Sequence, residues 1–99
     1  MSRGIARLGD TTLGICKCHR RPLRVEGRII SASTDVLTNG RGTARLGDVV
    51  IAKCGHGGVI NSASTKTLTN GRGTARQGDT FSGCYTGRIL SASTDRFTM

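Results

Sequence analysis

The octapeptide Arg3-Gly-Ile-Ala-Arg-Leu-Gly-Asp10 returns as Arg41-Gly-Thr-Ala-Arg-Leu-Gly-Asp48 and again as Arg72-Gly-Thr-Ala-Arg-Gln-Gly-Asp79. A chain of 99 residues that carries one segment three times folds three copies of one unit, with approximate threefold symmetry. Two further elements keep step with it. Ser-Ala-Ser-Thr occurs at 31–34, 62–65 and 91–94, and Leu-Thr-Asn-Gly at 37–40 and 68–71. The order within a unit is Gly-Asp, a variable segment, Ser-Ala-Ser-Thr, Leu-Thr-Asn-Gly, then the octapeptide. After the third Ser-Ala-Ser-Thr only Asp95 to Met99 remain, whereas Arg3 to Asp10 stand at the N-terminus without a preceding turn. The chain therefore reads as a closed ring cut open in one unit, and residues 2–8 are expected beside residues 94–99.

Strand signals dominate. Asn39-Gly40 and Asn70-Gly71 mark two-residue hairpin turns, because both residues tolerate positive φ. Arg28-Ile-Ile, Gly58-Val-Ile and Arg88-Ile-Leu read as strands leading into Ser-Ala-Ser-Thr, and no window carries a helical stripe. The expected fold is all-β, a single small domain of three pseudo-threefold hairpin repeats over 1–99. Leu37, Leu68 and Phe97 are expected to form one core layer. Ala6, Ala44 and Ala75 form a second, with the following Arg pointing outward. From the repeat Asp to the next Ser-Ala-Ser-Thr is 21, 14 and 12 residues in the three units. The excess in the first, Lys17 to Glu26, reads as an inserted surface loop.

The net charge is +9, and six of the fifteen Lys and Arg arrive with the octapeptides. Solubility and duplication account for that charge plainly. An acidic protein surface or nucleic acid would account for it more pointedly. Three aromatic residues are few for a nucleic-acid surface that stacks bases. No run of about 18 apolar residues is present, and no secretory leader is expected.

Every Cys and His lies in the variable segments: Cys16, Cys18 and His19, then Cys54 and His56, then Cys84. Counted from the repeat Asp, Cys16 and Cys54 stand at +6, Cys84 at +5, and Cys18 and His56 at +8. Threefold symmetry brings these segments to one end of the body, where thiolates and imidazoles make a tetrahedral zinc site natural. Disulfides and plain burial of small thiols are the competing readings. The candidate ligands are Cys16, His19, Cys54, His56 and Cys84, for about four places. Cys84 is expected to be required, as the third unit's sole donor, and Cys18 to be spare. Zinc is the expected metal, with iron the less favoured choice.

On these residues the chain resembles the PAAR-repeat proteins. The family pattern SxxVxxNGxxAARxGD is matched from Ser33 to Asp48 and from Ser64 to Asp79, with Gly-Thr-Ala-Arg where the family reads Pro-Ala-Ala-Arg. The resemblance covers essentially the whole chain. It implies a short cone with a metal near its apex, capping the trimeric β-helical spike of a contractile phage tail or a type VI secretion system. It further implies one chain per spike trimer, no nucleic acid, no enzymatic activity, and transient contact with a target membrane. The protein would be made in the cytoplasm without a signal peptide, then sit at a virion tail tip or leave through a type VI apparatus. The alternative is a basic zinc-containing nucleic-acid-binding module using Arg20, Arg21, Arg24 and Arg28.

Overall fold

The variable segments alternate branched or aromatic residues with small and polar ones, which suits strands with one buried face. The computed structural model describes residues 2–99 and is all-β, with no helix among the described residues. In chain order the strands are β1 (Arg3–Gly4), β2 (Thr11–Cys16), β3 (Leu23–Ile29), β4 (Leu37–Thr38), β5 (Arg41–Gly42) and β6 (Val49–Ala52). They continue as β7 (Gly57–Ile60), β8 (Leu68–Thr69), β9 (Arg72–Gly73), β10 (Thr80–Gly83), β11 (Tyr85–Ile89) and β12 (Phe97–Thr98).

Six of these strands close into an antiparallel barrel in the order β10-β11-β2-β3-β6-β7. Each unit contributes one hairpin, and closure leaves the barrel no free edge. The alternation sends Ile29, Ile60 and Ile89 inward, each about 1% exposed. The layer formed by Thr12, Val50 and Phe81, two residues after each repeat Asp, is fully buried as well. Its members differ in size, and the third unit fills the space with an aromatic pair. Phe81 and Tyr85 stack at a tilt with ring centroids 4.7 Å apart. The Tyr85 hydroxyl pairs with Thr12 Oγ1 at 2.9 Å and donates to the Val25 carbonyl at 3.2 Å, so its polar end is satisfied inside the barrel.

At one end of the barrel the repeated segments interlock. The Ala6 N–H donates to the Ala75 carbonyl (3.0 Å), Ala44 to Ala6 (3.0 Å) and Ala75 to Ala44 (2.9 Å). This closed triangle of backbone bonds leaves all three alanines fully buried. A larger side chain would hold the three backbones apart. Two-stranded ladders surround the triangle: β4 with β5, β8 with β9, and β1 with β12. In the last, Arg3 faces Thr98 and Gly4 faces Phe97, the pairing expected of the two ends of the sequence. Asn39 (φ 54°) and Gly40 (φ 76°), like Asn70 (52°) and Gly71 (78°), make the two-residue turns that join β4 to β5 and β8 to β9. Gly42 is needed for another reason: a Cβ there would collide with the Ser33 carbonyl, and Gly4 and Gly73 meet Ser93 and Ser64 the same way.

The octapeptide's charges are explained by its Asp. Asp10, Asp48 and Asp79 are 2–3% exposed. Arg45 folds back on Asp48, donating from its backbone N–H (2.8 Å), Nε (2.9 Å) and Nη2 (3.0 Å). Arg72 of the next unit adds a bond at 3.3 Å, and Ser31, the first Ser of Ser-Ala-Ser-Thr, adds one at 3.1 Å. The same set recurs as Arg7, Arg41 and Ser91 on Asp10, and as Arg76, Arg3 and Ser62 on Asp79. The second Ser caps the bend that follows: Ser33 Oγ accepts from the N–H of Val36 at 2.9 Å. The second Arg of each octapeptide therefore lies against its Asp instead of pointing away.

Two further expectations are corrected. Leu37, Leu68 and Phe97 are not core: they are 59%, 62% and 56% exposed. Their neighbours Thr38 and Thr69 turn inward instead, and pair with Thr43 and Thr74 at 2.8 and 2.7 Å. The inserted loop is also shorter than Lys17 to Glu26. Residues Leu23 to Glu26 extend β3 against β2, with Cys16 facing Leu23, and only 17–22 form a loop. β6 pairs with β3 only over Gly27–Ile29, so the first unit's hairpin projects beyond it.

Candidate metal centre

The turns of the three barrel hairpins lie at the end opposite the alanine triangle, and the Cys and His residues cluster at these turns. Cys16 is the last residue of β2 and is fully buried. His19 lies in the 17–22 loop. Cys54 and His56 lie in the tight connection from β6 to β7, where the Ala52 N–H donates to the His56 carbonyl (2.8 Å) and the Gly55 N–H to the Ala52 carbonyl (2.9 Å). Gly55 takes a φ of 94°, the left-handed region that glycine enters freely.

Four of the five expected ligands come together. Single donor atoms of Cys16, His19, Cys54 and His56 all lie within 4.8 Å of one another. Cys16 Sγ is 3.0 Å from His56 Nδ1, and Cys54 Sγ is 3.8 Å from the same nitrogen. The rings of His19 and His56 meet edge to face with centroids 4.8 Å apart. His19 Nε2 is buried with no hydrogen-bond partner. Such an orphan is costly in an interior, and a cation among the four side chains would satisfy it. The cluster could hold a metal ion, with the first unit supplying Cys16 and His19 and the second Cys54 and His56.

Without a metal the two thiols are unlike. Cys54 is lowered to about 6, first by the His19 imidazole beside it and then by the backbone N–H of His56. Burial, and then the contact with Cys54, push Cys16 up. Cys54 is thus ready as a thiolate at neutral pH. Cys16 holds its proton more tightly, and a metal loading the site would displace it.

Cys84 is placed differently from the expectation. It is joined to Cys18 in a disulfide, with Cα atoms 5.2 Å apart, and stands outside the four-residue group. The cause is strand pairing. β11 runs beside β2 with Tyr85 facing Cys16, and the Lys17 N–H donates to the Cys84 carbonyl at 2.6 Å. That brings Cys84 next to the residues after Cys16, within reach of Cys18. The third unit is tied to the first by a covalent bond, and Cys18, expected to be spare, is the other half of it. Counting offsets from the repeat Asp located the convergence, but offsets carry no information on which thiols face one another. Comparison with protein-family models and with curated proteins gives no match, and the case for function rests on the fold and this cluster.

Proposed function

We propose that this protein is a PAAR-repeat-like structural tip that caps a trimeric β-helical spike of a contractile phage tail or a type VI secretion system. The observation that carries the reading is threefold construction within one polypeptide. The alanine triangle and its three ladders give a single chain the symmetry needed to meet a trimer end-on. Leu37, Leu68 and Phe97 supply one exposed apolar side chain per unit on those ladders. An apolar residue repeated three times on a small exposed surface marks an interface better than scattered ones do. The far end, built from the hairpin turns, would be the pointed end of a cone and carry zinc on two thiolates and two imidazoles, a common structural donor set. The tip would contact a target membrane only while it is driven through.

The nucleic-acid reading is weakened by the ion pairs. The six octapeptide arginines are spent on Asp10, Asp48 and Asp79. The first unit's basic stretch is left as the main source of phosphate contacts.

The test is to mix the protein with a candidate β-helical spike trimer and weigh the complex. One chain per trimer is expected, surviving about 1 M salt, where the Debye length is about 3 Å. Replacing Leu37, Leu68 and Phe97 by Asp should abolish the complex while the barrel stays folded. Three chains per trimer, or salt-dependent binding to duplex DNA instead, overturns the reading.

A further inference from the structure

The Cys18–Cys84 disulfide and the Cys16/His19/Cys54/His56 cluster are neighbours by construction. Cys18 lies between two members of the cluster in sequence, Cys16 and His19. Cys84 sits one residue before Tyr85, which faces Cys16 across the strand pair. Cys18 is exposed and Cys84 half-buried, so the bond is open to attack from solution. The disulfide is also not what closes the fold at that end, since β2 and β11 are paired along their length. Breaking it frees two sulfurs, one on each of the connections next to the cluster, without parting β2 from β11.

We propose that reduction of the Cys18–Cys84 disulfide adds sulfur donors to the metal centre, so that thiol redox state sets how many thiolates hold the metal. The inference rests on the reading of the four-residue cluster as a metal centre. The oxidised protein offers two free thiols, Cys16 and Cys54, and the reduced protein four. The reductant is a dithiol. One of its thiolates attacks a sulfur of the Cys18–Cys84 bond, forming a mixed disulfide and releasing the other cysteine as a thiolate. The second thiol of the reductant then displaces the remaining cysteine. Two electrons pass to the protein, and the dithiol leaves as its own disulfide. The freed thiols lose their protons on meeting the metal. Thiolate is a stronger anionic donor to zinc than neutral imidazole, so the reduced site should hold the ion more tightly and with more sulfur. In a reducing compartment the metal would be held through sulfur from all three units. In an oxidising one, metal and disulfide would divide that work.

The experiment uses the full chain, oxidised and dithiol-reduced, titrated with Co2+ as a spectroscopic probe and with Zn2+ for affinity. On reduction, the sulfur-to-cobalt absorbance per bound ion should rise about 1.5- to 2-fold and zinc binding should tighten by about 10-fold or more. A Cys18→Ser/Cys84→Ser variant should match the oxidised protein and ignore the reductant. Unchanged absorbance and affinity on reduction overturn the inference, as does a double variant that still responds. The wild-type comparison decides even if that variant does not fold. Metal bound by the reduced protein alone supports recruitment while removing the four-donor reading. Metal bound in neither state removes both.

Discussion

The two ends of this barrel are built on different principles. At the triangle end the main contacts are each made three times: an Ala bonded to an Ala, an Asp held by two Arg and a Ser, a Gly tucked under a Ser carbonyl. At the hairpin end nothing is made three times. Two units supply the Cys/His cluster, the third is joined by a disulfide, and one hairpin overhangs its neighbours. Repetition serves packing and symmetry, which any unit can perform alike. Chemistry escapes it, because one central site takes a few donors and has no use for three copies of each. The difference suggests that damage at the hairpin end should depend on which residue is changed, whereas damage at the triangle end should depend only on the type of residue.

The largest effect is expected from metal removal. Structural zinc supplies roughly 10 kcal/mol or more in zinc-finger peptides. The closed barrel and the disulfide share the load here, so a fall in Tm of about 20 °C, on the order of 4 kcal/mol, is expected on chelation. Thermal unfolding with and without chelator measures it, beside elemental analysis of the native protein. An unchanged Tm would remove the metal from the account of this end.

Next come the buried carboxylates. Asp48→Ala strips the partner from Arg45 and Arg72 and leaves Ser31 without its acceptor, and should cost about 3–5 kcal/mol. Asp10→Ala and Asp79→Ala should cost the same to within about 1 kcal/mol, since their partners are equivalent. Denaturant unfolding of the three variants checks this directly, and a spread as wide as the mean would break the rule that position is immaterial at this end. A smaller cost follows from crowding the triangle. Ala44→Val, like Ala6→Val and Ala75→Val, forces methyl groups among three backbones and should cost about 1–3 kcal/mol.

Much of the triangle end was legible in the sequence because repetition multiplies weak signals. The paired ends, the Asn-Gly turns and the buried alanines all followed from aligning three copies. The miss at Leu37, Leu68 and Phe97 has a physical origin. Their strands are two residues long, so alternation had no length over which to declare its phase, and hydropathy chose Leu over Thr. The fold chose Thr38 and Thr69, whose hydroxyls pair inside with those of Thr43 and Thr74. A phase error of one residue exchanges the two faces completely. At the hairpin end, offsets from Asp anticipated that Cys16, His19, Cys54 and His56 would meet, and misplaced Cys84. The pairing of Cys84 with Cys18 depends on strand register, which three dissimilar loops do not encode in any shared pattern.

The smallest effect probes a place where the threefold network itself is incomplete. Asn39 Nδ2 donates to Asp95 at 2.9 Å, and Asn70 Nδ2 donates to Asp35 at 3.0 Å. The corresponding position in the second unit is Lys66, so only two carboxylates take part. Both are held below the ordinary range, first by the Asn amide and then by the Ser two residues earlier. A carboxyl whose folded pKa is depressed contributes stability above its unfolded value of about 3.9, and that contribution is lost as pH falls through the folded value. Both groups are exposed, so the effect is small and screened by salt. The expected result is that wild type loses more stability than an Asp35→Asn/Asp95→Asn variant as pH is taken from about 5 to about 2. The two should converge at the acid end, where neither carries those charges. The difference between their denaturant-unfolding profiles isolates the pair from every other carboxylate. Parallel profiles would mean that these inter-unit bonds hold no charge-dependent stability. In that case the triangle end would rest on its buried Asp and Ala sets alone. A further Lys66→Asp change in the wild type should add no matching acid-labile increment, because Met99 stands where the other two units have Asn39 and Asn70.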